Sequence, residues 1–272
     1  MNMLKNSVVF SLLAFLFVGC NTVPITGRSQ LRLIGSQEVM GMSFTQYRDF
    51  LQQNKLSTNQ RQAEMVKRVG SRIQKSVEQY MAQNNYSDRL NGFEWEFNLV
   101  EDNTVNAWCM PGGKVVVYTG IMPVCQDEHG LAVVMGHEIA HAIAEHGNER
   151  MSQGLMQQLG GVALSVALAN KPQETQSLWM AAYGLGSQVG ALLPFSRQQE
   201  SEADKIGLVF SAMAGYDPRE APKFWERMAA ASGGQAPPEF LSTHPSNQTR
   251  ITNLTNLIPE VMPYYEKSAF RN

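Results

Sequence analysis

An excess of either charge is missing from this 272-residue sequence: 22 basic and 24 acidic side chains leave a net charge of −2. Without a basic surplus there is little to neutralise a phosphate backbone, which argues against nucleic acid as a partner. Low-complexity tracts and internal repeats are missing too. Long apolar runs are scarce: Val8 to Val18 and Val162 to Ala169 are both short for a permanent membrane span, and the second, interrupted by Gly160 and Gly161, reads as a buried helix. Cysteine is limited to Cys20, Cys109 and Cys125. What remains is a chain whose 43% hydrophobic content can bury a sizeable core, fitting one compact domain or a domain with appendages.

Lys5 ahead of the run from Val8 to Val18 has the form of a secretory signal. The run ends Phe17-Val18-Gly19-Cys20, which resembles the lipobox at which bacterial lipoproteins are acylated and cleaved. Residues 1–19 are therefore expected to be a signal peptide and Cys20 a lipidated N-terminus that anchors the protein to a membrane without a spanning helix. Asn21, where Asp would retain a lipoprotein in the inner membrane, resembles outer-membrane sorting, which implies a lipid-anchored protein on the periplasmic face. Residues 20–34, with Pro24 and Gly27 and no periodicity, are expected to form a tether, and 35–272 a single domain. Export to an oxidising compartment makes a Cys109–Cys125 disulfide an open alternative to two buried thiols.

Apolar residues recur at helical spacing from Gln37 to Gln53 and from Asn59 to Gln83, with Val66, Val69, Ile73 and Val77 on one stripe. The period then drops to two at Phe93, Trp95, Phe97 and Leu99, as in a half-buried strand. Further strands are expected near Val105 to Trp108 and, after Pro111-Gly112-Gly113, at Val115 to Tyr118. A helix starting at Asp127 or Glu128 should run through Glu145, with Gly147 as a left-handed cap. Later segments, Gln153 to Ala169, Thr175 to Leu193, Arg197 to Ala214 and Pro218 to Ala231, all read as helices. The fold class is α+β, mainly helical, with a small sheet.

On the helix after the strands, His137-Glu138-Ile139-Ala140-His141 fits H-E-x-x-H. Two histidines four apart share a helix face and can reach one metal ion, while Glu138 is angled beside it to accept a proton from an attacking water. Zinc suits this donor chemistry. Residue frequencies make the pattern a chance event in under about one chain in a hundred. Leu131, Val133, Val134, Met135 and Ile139 make the helix apolar, and buried ionisable groups there need a partner. The extension with a third histidine six places on is absent, because His146 is displaced by one, so His146 reads as a polar group at the helix end.

A third ligand is best sought in Ser196 to Asp204, where Glu200 and Asp204 share one helix face. Glu200 could complete the zinc shell and Asp204 could accept the free N–H of a ligand histidine. The alternative is an ordinary solvated acidic face. H-E-x-x-H followed by E-x-x-x-D in this setting resembles the HtpX-like and CAAX-prenyl-protease-like gluzincin metallopeptidases. Asn106-Ala107-Trp108, Pro111-Gly112-Gly113, Ser242-Thr243-His244-Pro245 and Arg250-Ile251 extend the likeness over roughly Ser36 to Leu257, and it is strongest to small periplasmic lipoprotein members.

The resemblance implies a zincin-type core with the sheet packed on the H-E-x-x-H helix, one zinc per chain, and a substrate peptide added along the edge at Asn106, Ala107 and Trp108. It also implies that His244 either stabilises the oxyanion or occupies the open zinc position at rest. Arg250 is expected to pair with a nearby acid. The implied function is a zinc metalloendopeptidase acting on unfolded or misfolded envelope proteins, with outer-membrane assembly machinery as a possible partner. Rival readings are a zinc-binding assembly factor that cuts little and a hydrolase of cell-wall amide bonds.

Overall fold

The computed structural model describes residues 20–169, 193–231, 240–241, 244 and 248–271, together with 173, 177 and 180. The expected signal segment, 1–19, and most of the helix expected at Thr175 to Leu193 lie outside the described residues. Where a tether was expected, the chain folds. Strand β1 (Cys20–Thr22) pairs antiparallel with β2 (Ser29–Leu31). Between them a turn closes through Val23 N–H to Arg28 O (2.8 Å) and Gly27 N–H to Val23 O (2.9 Å), with Gly27 at φ +68 where a side chain would be strained. Val23 is completely buried. Pro24 and Gly27, read as marks of a flexible link, are instead the chemistry of a tight turn.

Helices α1 (Ser36–Gln53) and α2 (Gln60–Gln83) follow as the periodicity predicts. Asn59 caps α2 by accepting a hydrogen bond from Gln62 N–H at 3.2 Å, and the stripe Val66, Val69, Ile73 and Val77 is fully buried. The sheet comprises β3 (Glu96–Val100), β4 (Ala107–Met110) and β5 (Lys114–Tyr118), in the order β3-β5-β4. β3 runs parallel to β5, pairing Phe97 with Val115 and Leu99 with Val117; β4 runs antiparallel to β5, pairing Ala107 with Val117. Phe97, Leu99, Val115 and Val117 face the main core, while Val116 and Val100 pack on the opposite side with Tyr47 of α1. Both faces are covered, which is why β5 reads as a continuous apolar run. The expected first strand starts three residues later than its apolar alternation, because Phe93 and Trp95 pack beside the core before the pairing begins.

A one-turn helix α3 (Met122–Cys125) leads into α4 (Glu128–Ile143). Asp127 caps α4, its carboxylate accepting from His129 N–H at 2.8 Å and Gly130 N–H at 3.0 Å. The helix ends at Ile143, two residues short of expectation, and the left-handed residue at its end is Glu145 (φ 54), not Gly147. Helix α5 (His146–Leu168) follows directly. Helices α6 (Leu193–Met213), α7 (Glu220–Ala231) and α8 (Gln248–Glu266) complete the described fold. α4 and α6 cross at Gly136 and Gly207: a Cβ on Gly207 would sit 2.7 Å from the Gly136 carbonyl carbon and 2.8 Å from His137 N. Two missing side chains thus set the backbone approach between the helices.

Cys109 and Cys125 are free thiols, so the bridge is not formed. Cys109 lies on β4 near enough to Glu138 to feel its charge, whereas Cys125 ends α3 beside Arg227 and Asp127. The two face different surroundings.

Candidate metal and catalytic centre

The close crossing of α4 and α6 brings the two sequence motifs together. His137 and His141, one turn apart on α4, meet Glu200 on α6: His137 Nε2 lies 3.3 Å and His141 Nε2 3.2 Å from its carboxylate oxygens. His244 joins them, with Nδ1 at 2.9 Å from Glu200 and 3.1 Å from His137 Nε2. One donor atom from each of the four residues falls within 4.8 Å of all the others, a set that can hold one metal ion. The Nε2 atoms of His137 and His141 approach to 3.1 Å. Lone pairs converging so closely need a cation or proton between them. Imidazole nitrogen with carboxylate oxygen is a donor set that zinc takes, and the arrangement fits that ion.

Glu138 lies beside the donors with Oε1 3.5 Å from His244 Nε2. That oxygen is buried and has no hydrogen-bond partner among the described residues. Burial raises the carboxyl above its ordinary value, only partly offset by the His244 and His137 charges. A carboxylate so placed has a strong pull on any proton offered to it.

Behind the donors, Asp204 Oδ1 sits 3.0 Å from His137 Nδ1, as the i+4 spacing from Glu200 predicts. Arg250 grips that carboxylate with Nη2 at 2.6 Å and Nε at 2.8 Å, and also reaches Glu200 at 3.3 Å. Its guanidinium stacks on Trp225 at 3.4 Å. The expected pairing of Arg250 with an acid is therefore present, and with two of them. Burial lowers the His137 imidazole, as does Arg250, yet the hydrogen bonds to Asp204 and Glu200 prevail and raise it to about 9. His141 is held well below its ordinary value by burial, helped by the His137 and His146 charges. Burial opposes ionisation of Glu200, but its bonds to the three imidazoles outweigh that and hold it far below the usual carboxylate range.

Residues the sequence reading left out also converge here. His146 is a buried group whose Nδ1 is 2.8 Å from His141 Nδ1 and whose Nε2 is 3.0 Å from Glu202 Oε2. Glu202 in turn accepts from Arg28 Nε at 2.8 Å and from the Thr26 hydroxyl, both on the β1–β2 turn. Arg28 also forks onto Glu149 at 2.7 and 2.8 Å. No local signal in the sequence marks Arg28, because its partners Glu149 and Glu202 lie 121 and 174 positions away.

A cleft of about 330 Å³ opens beside the donors, walled by Val39, Met40, Phe93, Glu138, His141 and the strand from Asn106 to Cys109. β4 forms one edge of the sheet, as the resemblance implied, and among the described residues no strand pairs with its outer side.

Fold and site together define a zincin-type metallopeptidase core. The profile of peptidase family M48 matches residues 67–258, and the chain belongs to that family. It is 39% identical to "Mitochondrial metalloendopeptidase OMA1" of Schizosaccharomyces pombe over 66% of this chain and 51% of that protein. It is 31% identical to the protein of the same name from Saccharomyces cerevisiae over 94% of this chain and 76% of that one. "Beta-barrel assembly-enhancing protease" of Escherichia coli (strain K12) is 28% identical over 64% of this chain and 37% of the relative. The chain thus spans about half the length of the first of these relatives. The named mitochondrial proteins, matched over most of the chain, overturn the expected outer-membrane, lipid-anchored location. Among the described residues no helix is long and apolar enough to cross a membrane.

Proposed function

We propose that this chain is a zinc metalloendopeptidase in which His137, His141 and Glu200 hold the metal and Glu138 is the general base. The observation that carries the reading is the convergence of those donors beside a buried carboxylate oxygen that has no partner among the described residues. Zinc bound there would supply the Lewis acidity that polarises a scissile carbonyl and makes water nucleophilic near neutral pH. Glu138 takes the proton from the attacking water at Oε1 and passes it to the leaving amine, a transfer its burial favours. Asp204 accepts from His137 Nδ1, which leaves the Nε2 lone pair for the metal.

His244 completes a four-donor set, and a catalytic zinc needs one position free. His244 therefore caps the site at rest and, when it gives way, offers Nε2 toward the substrate oxyanion beside Glu138. An extended peptide adds to the outer edge of β4, along Asn106, Ala107 and Trp108, through the backbone groups that β5 does not use on the inner edge.

The substrates we infer are unfolded or misfolded proteins, whose backbones are free to add as a strand, in a quality-control role. The relatives' names as metalloendopeptidases support the activity. The bacterial relative's name supports a link to β-barrel assembly machinery. The test is cleavage of unfolded casein by zinc-loaded protein. Glu138→Gln should keep its zinc and lose about 10²- to 10⁴-fold in rate, and a chelator should abolish cutting by the wild type. Undiminished proteolysis by Glu138→Gln overturns the assignment.

A further inference from the structure

We propose that Arg28, on the turn of the N-terminal hairpin, is a positioning residue for His141, acting through Glu202 and His146. The inference rests on the reading of His141 as a metal ligand.

Hydrogen-bond direction along the chain of contacts is fixed from both ends. Glu202 Oε2 is paired with the Arg28 guanidinium, accepting from Nε at 2.8 Å with Nη2 at 2.7 Å, and so stands as an acceptor. His146 must then donate to it from Nε2, across 3.0 Å. With His141 Nε2 on the metal, as proposed above, His141 carries its proton at Nδ1 and donates it across the 2.8 Å contact, so His146 accepts at Nδ1. The relay is the arrangement that keeps the His141 lone pair at Nε2, the atom that faces Glu200 and His137. Asp204 does the same for His137 directly. Each ligand histidine is backed by a carboxylate, one at first hand and one through a second imidazole.

Arg28 is what holds the relayed carboxylate in place. Its Nε and Nη2 reach Glu202 at 2.8 and 2.7 Å, and its Nη1 and Nη2 reach Glu149 at 2.7 and 2.8 Å. A planar guanidinium can give each of two carboxylates a pair of bonds in this way, whereas an ammonium offers three donors from one point and cannot reproduce both forks. Gln199 steadies Glu149 from the far side at 2.7 Å. Arg28 lies outside residues 67–258, the segment that matches the family profile. The hairpin is thus part of the metal centre's support and not a link to it.

Two measurements test this. In the zinc-loaded wild type, long-range ¹⁵N–¹H correlation of the imidazoles should show His146 protonated at Nε2 and His141 at Nδ1; the reverse pattern would overturn the proposal. Competition with a chromogenic chelator should show Arg28→Ala and Arg28→Lys binding zinc about 10- to 100-fold more weakly than wild type. Arg32→Ala is the control, because Arg32 ties the same segment to Glu145 at 2.9 Å without touching the relay, and its zinc affinity should stay at the wild-type level. Equal weakening by Arg32→Ala, or wild-type affinity in both Arg28 variants, would show that the hairpin is only docked. If wild type itself bound no zinc, the proposed function would fail first, so the two failures are distinguishable.

Discussion

The two histidines proposed to hold the metal sit one turn apart on the same helix, yet they are backed by different kinds of structure. Behind His137 the support is short and late in the chain: Asp204 from α6, clamped by Arg250 from α8, which lies on Trp225. Behind His141 it is long and comes from the other end: His146, Glu202, then Arg28 from the hairpin. The short side depends on one buried ion pair. The long side depends on a segment folding back across more than a hundred residues, so the metal centre reports whether both ends of the chain are in place.

The short side should give the larger loss of stability and a loss of zinc affinity comparable to that of the long side. Arg250→Ala strips the cation from Asp204, a buried carboxylate, and should cost about 3 to 5 kcal/mol in denaturant unfolding, against well under half that for an exposed pair. Asp204→Asn keeps the shape but removes the charged acceptor, and should weaken zinc binding by about 10- to 100-fold in chelator competition. If Asp204→Asn proved harmless while Arg28→Ala did not, the two sides would not be equivalent supports of the metal site.

A third variant strikes the crossing that both sides share. Gly207→Ala places a methyl 2.7 to 2.8 Å from the backbone of Gly136 and His137. It should cost about 1 to 3 kcal/mol, with both histidines displaced from Glu200. The smallest effect is expected at Cys125, remote from both sides, whose thiol burial pushes up to about 12. At pH 8.5 its alkylation should be undetectable in folded protein and prompt after unfolding, as mass spectrometry of the labelled peptide would show.

The same contrast explains what could be read from the sequence. His137, Glu138 and His141 are legible because one helix period puts them on one face, and Asp127 marks where that helix starts. Glu200 and Asp204 are legible for the same reason, their spacing being local. The hairpin side is not. Arg28 and Glu202 are 174 positions apart, and a polar stretch with Pro24 and Gly27 has the composition of a tether as much as of a turn. His146 was set aside because it missed a spacing by one residue; the left-handed Glu145 starts a new helix there and turns its ring back toward His141. The location read from Cys20 and Asn21 rested on a few residues at one end, and relatives matching most of the chain correct it.

Zinc content of the purified protein, measured by inductively coupled plasma mass spectrometry, bears most directly on the central claim. One zinc per chain in wild type and in Glu138→Gln, falling well below one in Glu200→Ala, is the result expected. A wild-type protein that carries no zinc and gains none on titration, or a Glu200→Ala that keeps its full complement, would contradict the assigned metal centre.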